Sequence, residues 1–218
     1  MSVDVFISAG RPFTASQEEF LASLEDYLRA NGLNPRAVGR SEFPHKSPLK
    51  FIDGIMSQCT ATVVVAFERL HVNDGVERRG SAEERQFKSE NISTAWNQIE
   101  SAMAYTKGHP LFVLVENGCR NDGLLEGGYD WYVQRITMTR DTLNSKVFVG
   151  AFNNWKNDVL ALAKANSQKT PITSPDVDKM TLKQVFTSLR ISHLFTLISI
   201  VVAYTALLIT IVTKVLGK

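Results

Sequence analysis

Over the first 165 residues, short apolar runs alternate with segments whose apolar residues recur every three to four positions. Val3-Asp4-Val5-Phe6-Ile7 predicts an opening strand. In Thr14-Ala15-Ser16-Gln17-Glu18-Glu19 two capping boxes overlap, Thr14 with Gln17 and Ser16 with Glu19. Leu21, Leu24 and Leu28 follow at helical spacing, and Asn31-Gly32 stops that helix. A weak strand is predicted over Asn34 to Val38, then a polar loop from Gly39 to Lys46. Ser47-Pro48 opens a second helix with proline at its first position, and Leu49, Ile52, Ile55, Met56 and Cys59 form its expected buried stripe.

Thr62-Val63-Val64-Val65-Ala66-Phe67 is a continuous, β-branched run, the pattern of a central strand covered on both faces. The charged stretch Glu68 to Asn91 predicts a mobile surface loop. A helix follows, with Ile92, Ala95, Trp96, Ile99, Ala102 and Met103 as its expected buried face, ended by Gly108 and Pro110. Leu111 to Val115 predicts another buried strand and Gly118 to Gly128 a glycine-rich loop. Ile136 to Met138 and Val147 to Val149 are minor strand candidates; Phe152, Trp155, Val159 and Leu162 mark a last helix. Such alternation predicts an α/β domain over residues 1–168, a parallel sheet with helices on both faces.

The last fifth of the chain reads differently. Lys169 to Asp178 is polar and carries Pro171 and Pro175, which predicts a linker. Residues 179–193 predict a juxtamembrane helix. Leu194 to Thr213, twenty residues with no charge, proline or glycine, predicts a transmembrane helix, followed by a short tail over 214–218. With no basic, apolar leader after Met1, the expected arrangement is a tail-anchored, single-pass protein of the cell inner membrane, its N-terminal domain cytoplasmic. Residues 179–218 hold Lys179, Lys183, Arg190, Lys214 and Lys218 and no acid, leaving 19 basic against 22 acidic residues before them. An acidic head lacks the basic stripe of a nucleic-acid binder, so no nucleic acid is expected as a partner. Cys59 and Cys119 have neither metal-ligand nor disulfide spacing, and four scattered histidines assemble no metal site. No metal is expected.

In a parallel α/β sheet, ligands sit beyond the carboxyl ends of the strands, where strand order reverses. That directs attention to Ser8-Ala9-Gly10-Arg11, to Glu68 and to Glu116, which follow the three strongest strand candidates. Glu100 is the catalytic candidate. It lies four residues after Trp96, about 40° around the helix, at the border of the apolar stripe. Partial desolvation there raises the pKa of a carboxylate, as in the general-acid class of glutamates. The ordinary alternative is a glutamate edging an amphipathic helix.

The opening VDVFISAG, the capped first helix, FIDGIMSQCTATVVVAF and the later AWNQIE together resemble a Toll/interleukin-1 receptor (TIR) domain of the bacterial, enzymatic type. The succession of these segments carries the resemblance, which covers roughly residues 1–165. It departs in Arg69 to Asn91 and in Gly118 to Asp130, and Gly39 to Lys46 has no clear match to the family's second box. The resemblance implies a flavodoxin-like, TIR-like sheet, cleavage of the nicotinamide–ribose bond of NAD as substrate with no further cofactor, and homo-oligomeric assembly through the TIR domain. It aligns Glu100 with the family's catalytic glutamate. Ser8, Ala9, Gly10 and Arg11 fall where the first strand turns toward a helix N-terminus, whose amides suit a diphosphate, and Arg11 either pairs with a phosphate or is a solvated loop residue. Trp96 either stacks on a base or nicotinamide ring or packs in the core.

Three function classes remain open. The leading one is an NAD glycohydrolase or cyclase acting in bacterial antiphage defence, confined to a membrane. The others are a non-catalytic TIR interaction module and a nucleoside 2-deoxyribosyltransferase-like enzyme.

Overall fold

A computed structural model describes residues 2–43 and 47–168, and Thr205. Residues 1–168 form one compact unit. Its sheet has five strands, all parallel, in the order β2-β1-β3-β6-β7. The strands are β1 (Val3–Ala9), β2 (Leu33–Ala37), β3 (Ala61–Ala66), β6 (Leu111–Glu116) and β7 (Tyr132–Ile136). The chain steps outward from β1 to β2 and then crosses to the other side of β1 for β3. Strand order therefore reverses between β1 and β3, which is where such folds open a crevice.

Each face of the sheet has its own core. Val5, Ile7, Val63, Val65, Phe112 and Leu114 point to one side, against α1 (Ala15–Ala30) and α4 (Lys146–Gln168). Phe6, Val64, Ala66, Val113 and Val115 point to the other, against α2 (Pro48–Met56) and α3 (Ala95–Thr106). β3 is buried at all six positions because helices cover both of its faces. Pro35 is tolerated in β2 because that strand is at the sheet edge, with β1 as its partner.

The helix starts follow their caps. The Thr14 hydroxyl accepts from Gln17 N–H at 3.2 Å, so of the two overlapping boxes the first is used. The Gln17 side chain accepts from Phe13 N–H at 3.1 Å. Thr94 caps α3 by accepting from Trp96 N–H, and Pro48 opens α2. Gly32, at φ +78°, ends α1 in the left-handed conformation that favours glycine.

Several expectations are corrected. The charged stretch after β3 is an antiparallel hairpin, β4 (Leu70–Glu77) and β5 (Arg85–Ile92), and not an irregular loop. Polar residues on both faces conceal its period of two, and the backbone ladder and cross-strand ion pairs hold it. Arg85 bonds Glu77 at 2.8 and 3.0 Å, and this guanidinium holds the Glu77 carboxyl below its usual range. The minor strand expected at Ile136 to Met138 lies earlier, as β7, and Val147 to Val149 belongs to α4. Leu49, expected in the buried stripe of α2, is 48% exposed.

The membrane expectation is also corrected. Among the described residues no helix is long and apolar enough to cross a membrane. The longest, α4, has 23 residues, but Asn153, Asn154, Lys156, Asn157 and Asp158 interrupt it. Leu194 to Thr213, the linker 169–178, the juxtamembrane segment 179–193 and the tail lie outside the described residues. The transmembrane element of the fold class and the inner-membrane localisation are therefore withdrawn.

An aromatic cluster packs one face of the sheet. Phe112 is fully buried on β6, with its ring centroid 5.5 Å from Trp155, 5.6 Å from Phe148 and 5.7 Å from Tyr132. Phe112→Ala removes the hub of this cluster and is expected to cost about 3–5 kcal/mol. Urea unfolding of the variant against the parent measures it.

Candidate active site

Helix α3 lies on the sheet opposite to the way its apolar residues predict. Its buried positions are Asn97, Glu100, Ser101 and Ala104. Trp96 and Ile99 are each 41% exposed, and Ala95 and Ala102 are exposed with them. The polar face at i, i+3, i+4 spacing packs on β1 and β3, and Ala95, Trp96, Ile99 and Ala102 look outward, while Met103 of the same stripe packs partly against the core. Trp96 is therefore not a core residue. Glu100 does not border the apolar stripe; it sits on the face turned to the sheet.

Asn97, which apolar periodicity does not single out, anchors that face. Its Nδ2 donates to the Ser8 carbonyl at 3.2 Å and the Ser8 Oγ at 3.2 Å, and lies 3.4 Å from the Val65 carbonyl. Ser8 and Val65 are the second-to-last residues of β1 and β3. The amide thus spans the two strands at the point where strand order reverses. Ser101 Oγ donates to the Asn97 carbonyl at 2.5 Å. The spacing of Asn97, Glu100 and Ser101 was itself a helical face, visible had polar positions been counted in the same way as apolar ones.

Glu100 is 7% exposed. Burial pushes its pKa up to about 7, and a hydrogen bond from the Ser8 side chain opposes that rise. No cation contributes among the described residues. The carboxylate is thus buried without an ion-pair partner, and its burial sets it apart from Glu68 and Glu116, which are only half-buried. Glu116 Oε2 accepts from the Glu68 backbone N–H at 2.8 Å, so that carboxylate closes the end of β3 against β6. Gln17 Nε2 donates to the Glu68 carbonyl at 3.3 Å from the start of α1.

The remaining predicted positions lie around this edge. Ser8 is fully buried, Ala9 and Gly10 are half-buried, and Arg11 is exposed. Gly10 brings the chain beside Thr94 and Phe67: a Cβ there would lie 3.4 Å from Thr94 Cγ2 and 3.5 Å from Phe67 Cε2. The structure thus buries Ser8 and Glu100 and leaves Arg11 and Trp96 on the surface. The hairpin rises from the same edge, since it joins β3 to α3. Arg120, in the loop after β6, is paired with Glu77 and lies 3.4 Å from Glu90, and its backbone N–H donates to the Asn91 carbonyl at 2.8 Å. A separate cavity of about 690 Å³ opens beside Tyr105, His109, Leu111 and Trp155 at the amino edge of the sheet, and none of the predicted site residues lines it.

No protein-family model and no curated protein matches this sequence. Solved structures similar to it include two. One is the CMP N-glycosidase BcmB of Clostridium botulinum, at 11% identity and a TM-score of 0.43, over 67% of this chain and 98% of that one. The other is the TIR domains of the activated Roq1 resistosome, which recognises the pathogen effector XopQ, at 15% identity and a TM-score of 0.33, over 53% of this chain and 58% of that one.

Burial of Glu100 has a thermodynamic signature. Its folded pKa lies above its unfolded value of 4.5, so folding favours the protonated acid. The stability this supplies is complete below the unfolded pKa and is lost as pH rises through about 7. Between pH 5 and pH 8 the protein is expected to lose about 2–3 kcal/mol from this group. Glu100→Gln should abolish that component. Urea unfolding of both proteins at the two pH values gives the difference.

Proposed function

We propose that this chain cleaves the N-glycosidic bond between nicotinamide and ribose in NAD, with Glu100 as the catalytic carboxylate. The observation that carries the reading is a glutamate buried without a cation on the face of α3 that packs on β1 and β3. The TIR resemblance of the sequence supplies the substrate.

The chemistry suits an anionic group. As the bond from C1′ to the pyridinium nitrogen breaks, its electron pair leaves with nicotinamide, which departs neutral, so no strong general acid is required. Positive charge develops on the ribose as an oxocarbenium ion. A carboxylate in a site of low polarity stabilises that charge, or anchors the ribose hydroxyls, more strongly than in water. Water adds to C1′, and ADP-ribose and a proton are the other products; capture by the adenine ring in place of water gives a cyclic product. Glu100 acts in its ionised form. Ser8, Ala9, Gly10 and Arg11 would hold the diphosphate side of the dinucleotide, with Arg11 free at the surface to meet a phosphate oxygen, and exposed Trp96 offers its ring to a base. Assembly of several copies through the same domain belongs to this reading.

Three outcomes follow. Glu100→Gln keeps volume and hydrogen bonding but removes the charge, and NAD turnover should fall by about two orders of magnitude or more. Nicotinamide release measured by chromatography checks this, with deoxynucleosides and CMP as parallel substrates. Wild-type turnover in the Gln variant rejects the assignment. The pH–rate profile of kcat/KM should rise with pH and level off above about 7, as Glu100 ionises. Turnover per molecule should also rise with protein concentration, and a rate independent of dilution removes assembly from the proposal.

A further inference from the structure

We propose that the cavity at the amino edge of the sheet binds a protonated amine carried on an apolar body, with the ammonium taken by Asp130 and Asp158 and the body by Tyr105 and Tyr132. The site is independent of the reading of Glu100.

The cavity, about 690 Å³, has the size of a small-molecule site. Three elements build it. Tyr105 stands in the last turn of α3, Asp130, Trp131 and Tyr132 lead into β7, and Trp155 and Asp158 lie one turn apart on α4. Ala151, one turn before Trp155, also lines the cavity, and its small side chain helps to keep the space open. β7 is an edge strand, so no further strand closes the cavity on that side.

The rings are held by one another and need no ligand to position them. Tyr132 and Trp155 both stack on Phe112, with centroids 5.7 and 5.5 Å away. Trp131 stacks on Tyr129 at 4.8 Å and meets Tyr105 edge to face at 5.5 Å. Yet Tyr105 remains 46% exposed and Tyr132 40%, with Tyr129 and Val147 more exposed still. Apolar surface gathered beside a cavity in this way marks a binding site, where single exposed residues would not.

Charge selects the ligand. Two carboxylates line the cavity, and among the described residues no lysine or arginine does. The Tyr105 hydroxyl donates to Asp130 at 3.1 Å, which fixes that carboxylate beside the ring. The lysines close by in the chain are engaged elsewhere: Lys107 pairs with Asp53 at 2.7 Å, and Lys156 donates to Asn31 at 3.2 Å. His109, in the cavity wall, is held below its ordinary pKa by burial and by Lys107, so it is neutral near pH 7 and offsets neither carboxylate. Aromatic faces and carboxylates attract the same sign of charge. An amine suits them better than a quaternary ammonium, because its N–H groups donate to carboxylates that can only accept. The same carboxylates repel an anionic dinucleotide, so this is not a second substrate site.

The test is a titration of the full chain, labelled with ¹⁵N-tryptophan, with 2-phenylethylamine, set against 2-phenylethanol, which has the same body and no charge. The chain holds three tryptophans. The indole N–H signals of Trp131 and Trp155 should shift together with a Kd of about 1 mM or below. Trp96, which does not line the cavity, should stay in place. The alcohol should bind about tenfold more weakly. Asp130→Asn and Asp158→Asn should each weaken the amine about threefold to fivefold and leave the alcohol unchanged. Both aspartates are exposed, so neither change threatens the fold. Glu100→Gln should bind the amine as the parent does, whatever becomes of NAD cleavage. Equal binding of amine and alcohol reduces the cavity to an apolar groove and overturns the proposal. So do Trp96 shifts that match those of Trp131 and Trp155, parent affinity in Asp130→Asn/Asp158→Asn, or no shift at about 10 mM amine.

Discussion

The side-chain amide of Asn97 reaches two strands at once, donating to Ser8 on β1 and lying against the Val65 carbonyl on β3. Those strands separate in chain order at that point, and the rest of the carboxyl edge is arranged around the joint. With Asn97 on the sheet, helical geometry sends Glu100 and Ser101 to the same side and turns Trp96 and Ile99 outward. The orientation of one helix thus decides which side chains form the candidate site and which form the surface.

That orientation is costly by the usual rules of burial. A carboxyl and two other polar residues occupy the inward face of α3, where aliphatic packing would be favoured. The two cores absorb the penalty unequally. On the α1 and α4 side, Phe20, Leu24, Leu28, Phe148, Phe152 and Trp155 close on the sheet without a buried charge. On the other side α2 supplies Ile52, Ile55 and Met56, while α3 contributes only Ala104 as a fully buried apolar residue. The surplus of apolar packing on one face allows the opposite face to keep a desolvated acid. Such strain against stability is what a functional group in a low-polarity site requires.

The edge that carries Glu100 is closed by contacts of modest individual strength. Glu116 holds the Glu68 backbone, Gln17 holds it from α1, and Arg120 joins the loop after β6 to the hairpin. Each joins residues far apart in the chain, so the rim exists only once the sheet has assembled. The hairpin itself has no fully buried residue. Its ladder and ion pairs place it beside the site without a core of its own.

The α/β layering of residues 1–168 was legible in the residues because it depends on local patterns. The β-branched run at Thr62 to Phe67, the leucines of α1 and the proline that opens α2 each specify their element with little help from the rest of the chain. The hairpin was not legible, since strands polar on both faces lack an alternating signal. Glu100 was identified as a candidate, but for a different local reason: adjacency to an apolar stripe instead of burial beneath the helix. Which face of α3 turns inward was beyond periodicity, because the helix has two good faces and only the sheet beneath it selects between them. Asn97 and Ser8 are 89 residues apart, and their meeting depends on strand order. The sequence alone determined that an acid lay on this helix next to a parallel sheet; the tertiary structure decided that it is buried, because only the crossing from β1 to β3 sets two backbone carbonyls where an amide can draw the polar face of the helix down.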